Sequence, residues 1–428
     1  MTQHNNTWKE VQLGGHVDLL TGYPFKSKQF TQDDNDIRLL RGDNVAQGFL
    51  RWNDARRWPR EEYEAYSSCH LQKGDVILAM DRPWISAGLK YAWIKDGDLP
   101  CLLVQRVARL RGTDGLLTDY LRYVIGSHDF TNHVLSIITG VNVPHISGRD
   151  IKAFRFKLPP EPVQERAVSI LSTYDDLIEN NTRRIEILEE MARRLYEEWF
   201  VHFRFPGHEE VSFKESELGK IPEGWEICHL EDAVALNPRT KVPKEGKKWF
   251  VPMGALSESS MVVGSLEKKA GNSGAKFQNA DTLVARITPC LENGKTGFVD
   301  FLPEDQPTAC GSTEFIVMRS ISLCPEMVYL LARSSRFRDV AIKSMSGATG
   351  RQRVRVESLR ELPVIQPDQD TLDAFQQFAA PCFKQIRTLA RKNMNLRAQR
   401  DLLLPKLVSG EIDVSDIPMP DDKEVEAA

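Results

Sequence analysis

Residues Leu171 to Trp199, LSTYDDLIENNTRRIEILEEMARRLYEEW, are predicted to form one long helix because their apolar side chains recur every three or four positions. This spacing, sustained over about four heptads, is typical of a coiled-coil helix. Extended outward, the helix is predicted from about Gln164 to Val201, a length on the order of 55 Å at the usual rise per residue. The seam positions are Leu171, Tyr174, Ile178, Asn181, Ile185, Leu188, Ala192, Leu195 and Trp199.

A second helix with the same spacing is predicted near the C-terminus. Two polar residues, Asn393 and Arg400, interrupt its apolar seam. Pro381 is expected to limit how early this helix begins cleanly, because proline lacks the backbone N–H that a helix interior requires. The seam positions are Ala379, Cys382, Ile386, Leu389, Asn393, Leu396, Arg400, Leu403 and Leu407.

The charges of the two helices indicate that they pair with each other. Residues 175–199 carry eight acidic groups and four arginines, a net of −4, whereas residues 383–407 carry seven basic groups and one acid, a net of +6. Opposite charges favour pairing, and two copies related by a pseudo-twofold axis pack antiparallel. One hypothesis for the register is that Asn181 meets Asn393, because each asparagine then satisfies the other's amide in an apolar seam. The same register places Ile185 by Leu389, Leu188 by Ile386 and Leu171 by Leu403. The alternative is that each helix only covers its own domain.

An internal repeat sets the organisation of the chain. The helices align at an offset of 208, which places Ile178 on Ile386. Three further pairs of segments match in the same order: Trp8 to Leu13 with Trp225 to Leu230, Gly74 to Ala79 with Ala280 to Ala285, and Ile146 to Pro159 with Val354 to Pro367. The order is globular unit, helix, globular unit, helix.

The repeat predicts an α+β fold, with two similar mixed α/β domains in pseudo-twofold arrangement, separated by two long antiparallel coiled-coil helices. Buried strands are predicted at residues 76–79 and 282–285, and short helices at 116–127 and 325–334. The predicted segments are domain 1 at 1–158, a central spacer helix at 159–203, a linker at 204–220, domain 2 at 221–366, a C-terminal spacer helix at 367–410 and a disordered acidic tail at 411–428.

Composition narrows the class of protein. The 428 residues are 41% apolar and 27% charged with a net charge of −4, which is ordinary for a globular protein and disfavours coating of nucleic acid through bulk charge. The sequence has neither an apolar run near twenty residues nor a secretory signal, so no membrane segment is expected. Seven scattered cysteines without a Cys-x-x-Cys pattern predict a reducing cytoplasm and no metal site.

Several motifs resemble those of one family. Residues 158–167, LPPEPVQERA, look like the start of the central helix in the specificity subunits of type I restriction–modification systems, and residues 218–225, LGKIPEGW, resemble the start of their second target-recognition domain. Residues 281–298 are similar to a strand–turn stretch found there, and residues 402–412 look like their C-terminal ending. The resemblance covers nearly the whole chain. The two domains depart from each other at Met80-Asp-Arg-Pro-Trp and Arg286-Ile-Thr-Pro-Cys, so equivalent contacts are not expected there.

The resemblance implies a non-catalytic subunit that binds double-stranded DNA through two target-recognition domains and reads an asymmetric, two-part target. It also implies assembly with two methyltransferase subunits, and then with restriction/motor subunits. S-adenosylmethionine, ATP and Mg would belong to those partner subunits. The two helices would serve as a spacer, comparable to one or more DNA turns of roughly 34 Å, and as the docking surface for the methyltransferase subunits.

The alternative is a self-contained DNA methyltransferase or nuclease, and no catalytic residue or metal ligand supports it. An adenine methyltransferase needs Asn/Asp-Pro-Pro-aromatic, whereas the nearest fragment is Asn237-Pro-Arg-Thr240, and no Gly-x-Gly-x-x-Gly follows a strand. Gly294-Lys295-Thr296 lacks the earlier glycine of a phosphate loop and is interpreted as a turn. A third interpretation is a coiled-coil scaffold without a role on DNA.

Contacts to DNA are expected in loops, above all in Gly140 to His145 and in its counterpart Gly347 to Arg353, because arginines beside glycines suit phosphate or guanine contact. The alternative is a turn with solvated arginines. The candidates are Arg351, Arg353, Arg355, Asn142, His145, Arg149, Arg82, Lys90, Arg286 and Lys295.

Overall fold

The computed structural model describes residues 8–139, 144–348 and 350–419. They divide into two compact units. Unit 1 contains the described residues of 1–176 and 396–428, and unit 2 contains those of 177–395. Each long helix therefore contributes one part to each unit. Asn142 and residues 420–428 lie outside the described residues.

Unit 1 is built on an antiparallel sheet with the order β2-β10-β5-β8. The central strand β5 is buried on both faces, with small helices on one side and a three-stranded sheet, β4-β3-β9, on the other. The strands are β1 (Lys9–Gln12), β2 (Val17–Thr21), β3 (Ile37–Leu40), β4 (Arg57–Trp58), β5 (Val76–Ala79), β6 (Trp84–Ile85), β7 (Gly88–Leu89), β8 (Tyr91–Trp93), β9 (Cys101–Leu103), β10 (Val107–Gly112) and β11 (Arg155–Leu158); the helices are α1 (Thr118–Ile125), α2 (His128–Ile138), α3 (Gly148–Lys152) and the beginning of α4 (Glu161–Phe200).

Unit 2 contains the corresponding antiparallel sheet with the order β15-β22-β19-β20. The strands are β12 (Phe213–Ser216), β13 (Gly219–Pro222), β14 (Glu226–His229), β15 (Val234–Leu236), β16 (Lys247–Val251), β17 (Glu267–Ala270), β18 (Ala275–Gln278), β19 (Thr282–Ala285), β20 (Thr296–Phe298), β21 (Thr308–Gly311), β22 (Phe315–Ser320), β23 (Met345–Ser346), β24 (Arg353–Val354) and β25 (Pro363–Gln366); the helices are α5 (Leu230–Ala233), α6 (Pro325–Arg333), α7 (Ser335–Lys343), α8 (Glu357–Arg360) and most of α9 (Gln369–Ser409).

The two units share their topology. In each, the strand that opens the repeated domain pairs with the last strand of the unit, β1 with β11 and β14 with β25; in unit 2 the hairpin β12–β13 precedes the repeated domain. The second sheet of each unit contains one parallel pair, β3 with β9 and β16 with β21. The buried strands at residues 76–79 and 282–285 lie where the sequence predicts them. The duplication predicted from the sequence is therefore a duplication of fold.

One ion pair recurs at the same place in both sheets. Asp75 precedes β5 and binds the guanidinium of Arg111 on β10, and Asp281 precedes β19 and binds that of Arg319 on β22 through both carboxylate oxygens. Each carboxylate is almost fully buried and also accepts a backbone N–H from the turn before it, from Gln72 in unit 1 or Gln278 in unit 2. A buried carboxylate needs such partners, so the pair fixes the start of the core strand.

The helices α4 and α9 contain 40 and 41 residues, respectively, and pack antiparallel against each other. Within unit 2, Nδ2 of Asn181 donates to Oδ1 of Asn393 at 3.0 Å, as predicted, and Ile185 shares one apolar core with Leu389. The same core contains Ile386, with Leu188 and Leu195 packed against it; within unit 1, Leu171 is fully buried, Leu403 packs against the same core, and Leu396 is half-buried.

Arg400 lies in the seam between the helices, at a position where the heptad pattern predicts an apolar residue. Its Nη1 donates to Asp175 Oδ1 at 2.8 Å within unit 1, and the hydroxyl of Tyr123 donates to the other carboxylate oxygen. The guanidinium thus has a specific acid from the facing helix, and the seam continues across this position.

The expectation that Pro381 delays the second helix is wrong. The helix α9 begins at Gln369 and continues through Pro381. Proline removes the N–H that would bind the carbonyl of Gln377. Both residues are exposed, so solvent can satisfy that carbonyl, while the neighbours Ala379 and Phe383 are buried and hold the helix in place.

Part of the segment predicted as an acidic tail lies on unit 1. Val414 is buried there, and the backbone carbonyl of Ile417 accepts a hydrogen bond from Arg166 at 2.7 Å. Over the described ranges, no helix is both long and apolar enough to cross a membrane.

Candidate nucleic-acid interface

In unit 2, three charged side chains meet at one end of the core sheet. Arg286 follows β19, and Glu314 precedes β22, the antiparallel neighbour of that strand, so the two residues lie side by side. The backbone N–H of Arg286 donates to the carbonyl of Glu314 at 3.0 Å. Arg353 opens β24 and forms a β-bridge with Ile287, which brings a third charged residue to the same place.

The carboxylate of Glu314 binds both arginines. Arg353 donates Nη2 to Oε1 at 2.8 Å and Nε to Oε2 at 3.0 Å, and Arg286 donates Nε to Oε2 at 3.1 Å. The hydrogen bond from Arg353, and then that from Arg286, lowers the pKa of Glu314 against the opposing effect of burial. The carboxylate therefore stays ionised and holds two half-exposed guanidinium groups.

The remaining basic candidates of unit 2 surround this cluster unevenly. Arg351 is exposed, and its carbonyl lies 3.4 Å from Nη1 of Arg353. Lys295 is half-buried on the strand side, where its carbonyl accepts the N–H of Ala285. Arg355 points elsewhere, since its Nε donates to the carbonyl of Ser344 at 3.2 Å. Of the predicted residues, Arg286 and Arg353 therefore meet at Glu314, and the backbone of Arg351 lies beside them.

Unit 1 places a different charge set at its own sheet end. Asp81 lies just beyond β5, and its carboxylate binds Nη1 of Arg106 through Oδ2 and Nδ1 of His145 through Oδ1, each at 2.6 Å. Burial opposes ionisation of Asp81, but the hydrogen bonds from Arg106 and His145 outweigh it and lower its pKa. His145 is exposed.

Two further basic candidates lie beside Asp81. The backbone N–H of Arg82 donates to Pro144 at 2.7 Å, and the residue has a left-handed φ of 44°, which a non-glycine residue adopts at a cost. Lys90 is half-buried, and burial lowers its pKa, with Arg51 and Arg82 adding to the effect. Arg149 lies apart on α3 and is exposed, and Asn142 lies outside the described residues.

The sequence patterns did not indicate the two carboxylates of these clusters or the cation Arg106. Basic residues near glycines point to loops that contact DNA, but Asp81, Glu314 and Arg106 lie at strand ends away from any such pattern. A signal existed: the residue before β10 is Arg106 and the residue before the equivalent β22 is Glu314, so aligning the repeats shows opposite charges at one position.

The fragments weighed as catalytic have structural roles. Asn237 has φ 53°, and its side-chain Oδ1 accepts the N–H of Val317 at 3.0 Å, so it ties a turn to β22. Thr296 Oγ1 donates to the carbonyl of Gly294 at 3.2 Å within the turn before β20. In the residues that the structure describes, no group of three or more His, Cys, Asp or Glu could hold a metal ion.

Comparisons with known proteins agree with the motifs. Residues 5–190 match the family described as type I restriction modification DNA specificity domain. The type I restriction enzyme EcoAI specificity subunit of Escherichia coli is 37% identical over 175 residues, which cover 40% of this chain and 28% of that one. The MjaIX specificity subunit of Methanocaldococcus jannaschii is 24% identical over 369 residues, which cover 83% of this chain and 82% of that one.

A solved structure shares the fold. The S subunit of a type I restriction–modification system from M. genitalium superposes with a TM-score of 0.55 at 12% identity, covering 95% of this chain and 98% of that one. This resemblance extends over both units and both long helices, and it agrees with the domain match at the N-terminal half. Residues 5–190 therefore match the DNA specificity domain of type I restriction–modification systems, and most of the chain is similar to their specificity subunits in sequence and in fold.

Proposed function

We propose that this chain is the DNA sequence-specificity subunit of a type I restriction–modification complex. Each unit binds one part of an asymmetric, bipartite target in double-stranded DNA, and the chain itself carries out no catalysis. The proposal gives unit 1 and unit 2 one half of the target each.

One observation supports this proposal above all. The same end of the core sheet occurs in both units, but it holds different charged side chains in each. The same strand order produces the same location twice, but one copy holds Asp81, Arg106 and His145 and the other holds Arg286, Glu314 and Arg353. Sequence is read by hydrogen bonds to base edges, so two different donor sets favour two different short sequences. A palindromic target would require the same set of hydrogen-bond donors in both units.

In the same proposal, the helix pair formed by α4 and α9 acts as the spacer and as the docking surface for two methyltransferase subunits, which restriction/motor subunits then join. Several apolar side chains on these helices remain exposed, which supports a protein surface there: Leu177, Ile187, Met191, Phe378, Met394 and Leu402. Apolar side chains that together form a contiguous exposed patch mark a protein interaction site.

We further propose that S-adenosylmethionine, ATP and Mg bind to the partner subunits and that the complex works in the cytoplasm. Two features of this chain support the two parts of this proposal, the first on cofactors and the second on location. The turns at Asn237 and Gly294 are bound into their own strands, and all seven cysteines are free thiols.

The test is to map methylated adenines in the host genome with and without the gene for this chain. The expected result is one two-part, asymmetric motif whose methylation disappears when the gene is deleted. Mass spectrometry of the tagged full-length chain, isolated from its host, should identify methyltransferase and motor subunits.

Two results would contradict the proposal. One is a genome in which every methylated motif persists after deletion. The other is incorporation of label from S-adenosylmethionine into DNA by the purified chain alone, which would favour a self-contained methyltransferase.

A further inference from the structure

The residues His145 and Arg353 occupy equivalent backbone positions in the two units. They are 208 residues apart, the offset at which the long helices also align. Each forms an isolated antiparallel β-bridge to the second residue after its core strand: His145 to Asp81 after β5, and Arg353 to Ile287 after β19. Two different side chains are therefore presented from one place in the duplicated fold.

A carboxylate anchors each of these side chains, but it comes from a different strand. In unit 1, Asp81 follows β5, and the residue before β10 is Arg106. In unit 2, the residue before β22 is Glu314, and Arg286 follows β19. In both units the acid binds one cation from the sheet end together with the side chain at the bridging position.

This exchange contrasts with the pair that sets the strand start. Asp75 with Arg111 and Asp281 with Arg319 keep the same residue types and the same hydrogen bonds in both units. The same buried ion pair therefore stabilises the core sheet in both units. The clusters around Asp81 and Glu314, in contrast, contain different side chains at the same exposed location of the fold. This difference indicates that the two units bind chemically different ligand groups.

The geometry at Glu314 suits recognition of a base. Arg353 is held through both Nε and Nη2, which fixes the plane of its guanidinium. Arg286 is held through Nε, and within the described ranges its two terminal nitrogens have no hydrogen-bond partner in the protein. Two parallel N–H donors match O6 and N7 of guanine in the major groove. Fixing the arginine beforehand lowers the entropy lost on binding.

We propose that Glu314 is a positioning residue for base recognition, which orients Arg286 and Arg353 to read guanine in the half of the target bound by unit 2. This inference rests on the proposed function, since it takes double-stranded DNA as the ligand. Asp81 plays the corresponding role for His145 and Arg106, so the half bound by unit 1 is read by a different donor set.

The test compares full-length protein, isolated from its host with any subunits that co-purify, carrying Glu314→Gln or Glu304→Gln. Both changes remove one negative charge from unit 2, but Glu304 is exposed and lies outside the cluster. Bound duplexes are selected from a library randomised in both halves of the target. In Glu314→Gln, preference for guanine at one position of one half should fall about tenfold, while every base preference in the other half stays as in wild type. Glu304→Gln should keep every preference.

A second variant covers the case in which Glu314→Gln does not fold, which thermal unfolding detects. Arg353→Lys keeps the charge on an exposed side chain but cannot form two parallel hydrogen bonds, so it should lose the same guanine preference.

The inference is overturned if the folded variants select the same bases as wild type, or if preference declines equally in both halves. Wild-type protein that selects no sequence would refute the proposed function, and this inference with it. A wild-type preference that persists in both variants would refute only the inference.

Discussion

Asn181 and Asn393 face each other between two long helices, where Nδ2 of Asn181 donates to Oδ1 of Asn393 at 3.0 Å. The amide of Asn393 in turn donates to the hydroxyl of Thr182 and to the carbonyl of Ile178, each at 3.1 Å. Both asparagines are buried, so the pair satisfies polar groups that would otherwise be stranded in an apolar seam. One polar pair in such a seam also fixes the register, because any shift would separate the two amides.

Replacing one of these asparagines should cost more than replacing both. Asn181→Leu leaves the amide of Asn393 with fewer partners and should lower the free energy of unfolding by about 1–3 kcal/mol. The double variant Asn181→Leu/Asn393→Leu should recover most of that loss, because no unpaired amide remains and the seam becomes apolar. Denaturant unfolding of all four proteins gives the coupling energy.

Asn395→Leu provides the control for that series. Asn395 lies on the same helix but is exposed, so its replacement should change the unfolding free energy by less than about 0.5 kcal/mol. Additive effects of the two seam replacements would show that the hydrogen bond between the asparagines does not couple them.

Arg400 and Asp175 form the second polar contact of the helix pair. Arg400→Ala should lower the unfolding free energy by about 2 kcal/mol, because Asp175 is mostly buried and would lose its charged partner. The hydroxyl of Tyr123 would remain as its neutral donor. Lys392→Ala, an exposed change of the same charge on the same helix, should have little effect; an equal loss in both variants would argue against a specific role for the pair.

The features that the sequence predicted correctly are those that produce a regular pattern of residues along the chain. Seven-residue spacing located both helices, and opposite charge predicted their pairing. The antiparallel arrangement, with one asparagine in each apolar seam, suggested the contact between Asn181 and Asn393. The buried strand at residues 76–79 was also predicted from a local pattern, because a short apolar run that follows a turn usually forms a core strand.

The features that were missed depend on contacts between distant residues. Glu314 binds Arg286 and Arg353, which are 28 and 39 positions away, and no local pattern indicates that these three meet. Pro381 was misjudged for a related reason: whether a helix tolerates proline depends on whether the freed carbonyl faces solvent, and that is a property of the packed helix pair.

Arg351 and Arg353 should matter for one half of the target. Replacing both with Ala should weaken binding to duplexes that vary in the half read by unit 2, and the slope of log affinity against log salt should decrease by about one to two, as expected when up to two phosphate contacts are lost. The measurement is a gel-shift series over salt with the full-length protein.

The matched control for this pair is Arg360→Ala, an exposed arginine on α8 that is 3.9 Å from Glu231. It should leave both affinity and salt slope unchanged. Identical binding by wild type and by the double variant across the salt series would remove Arg351 and Arg353 from the contact surface.

Asp300 should make the stability of unit 2 depend on pH. Burial raises the pKa of this carboxyl to about 6, and Arg387, 3.7 Å away, offsets only part of that effect. A carboxyl whose folded pKa is raised destabilises the fold when ionised. Its cost is absent below the unfolded pKa near 4, grows as the pH rises towards 6 and is constant above it. Relative to Asp300→Asn, wild type should lose about 2 kcal/mol of unfolding free energy between pH 4.5 and 7.5. Asp305→Asn is exposed and should give parallel pH curves. Parallel curves for Asp300→Asn as well would mean that Asp300 titrates like a solvated carboxyl.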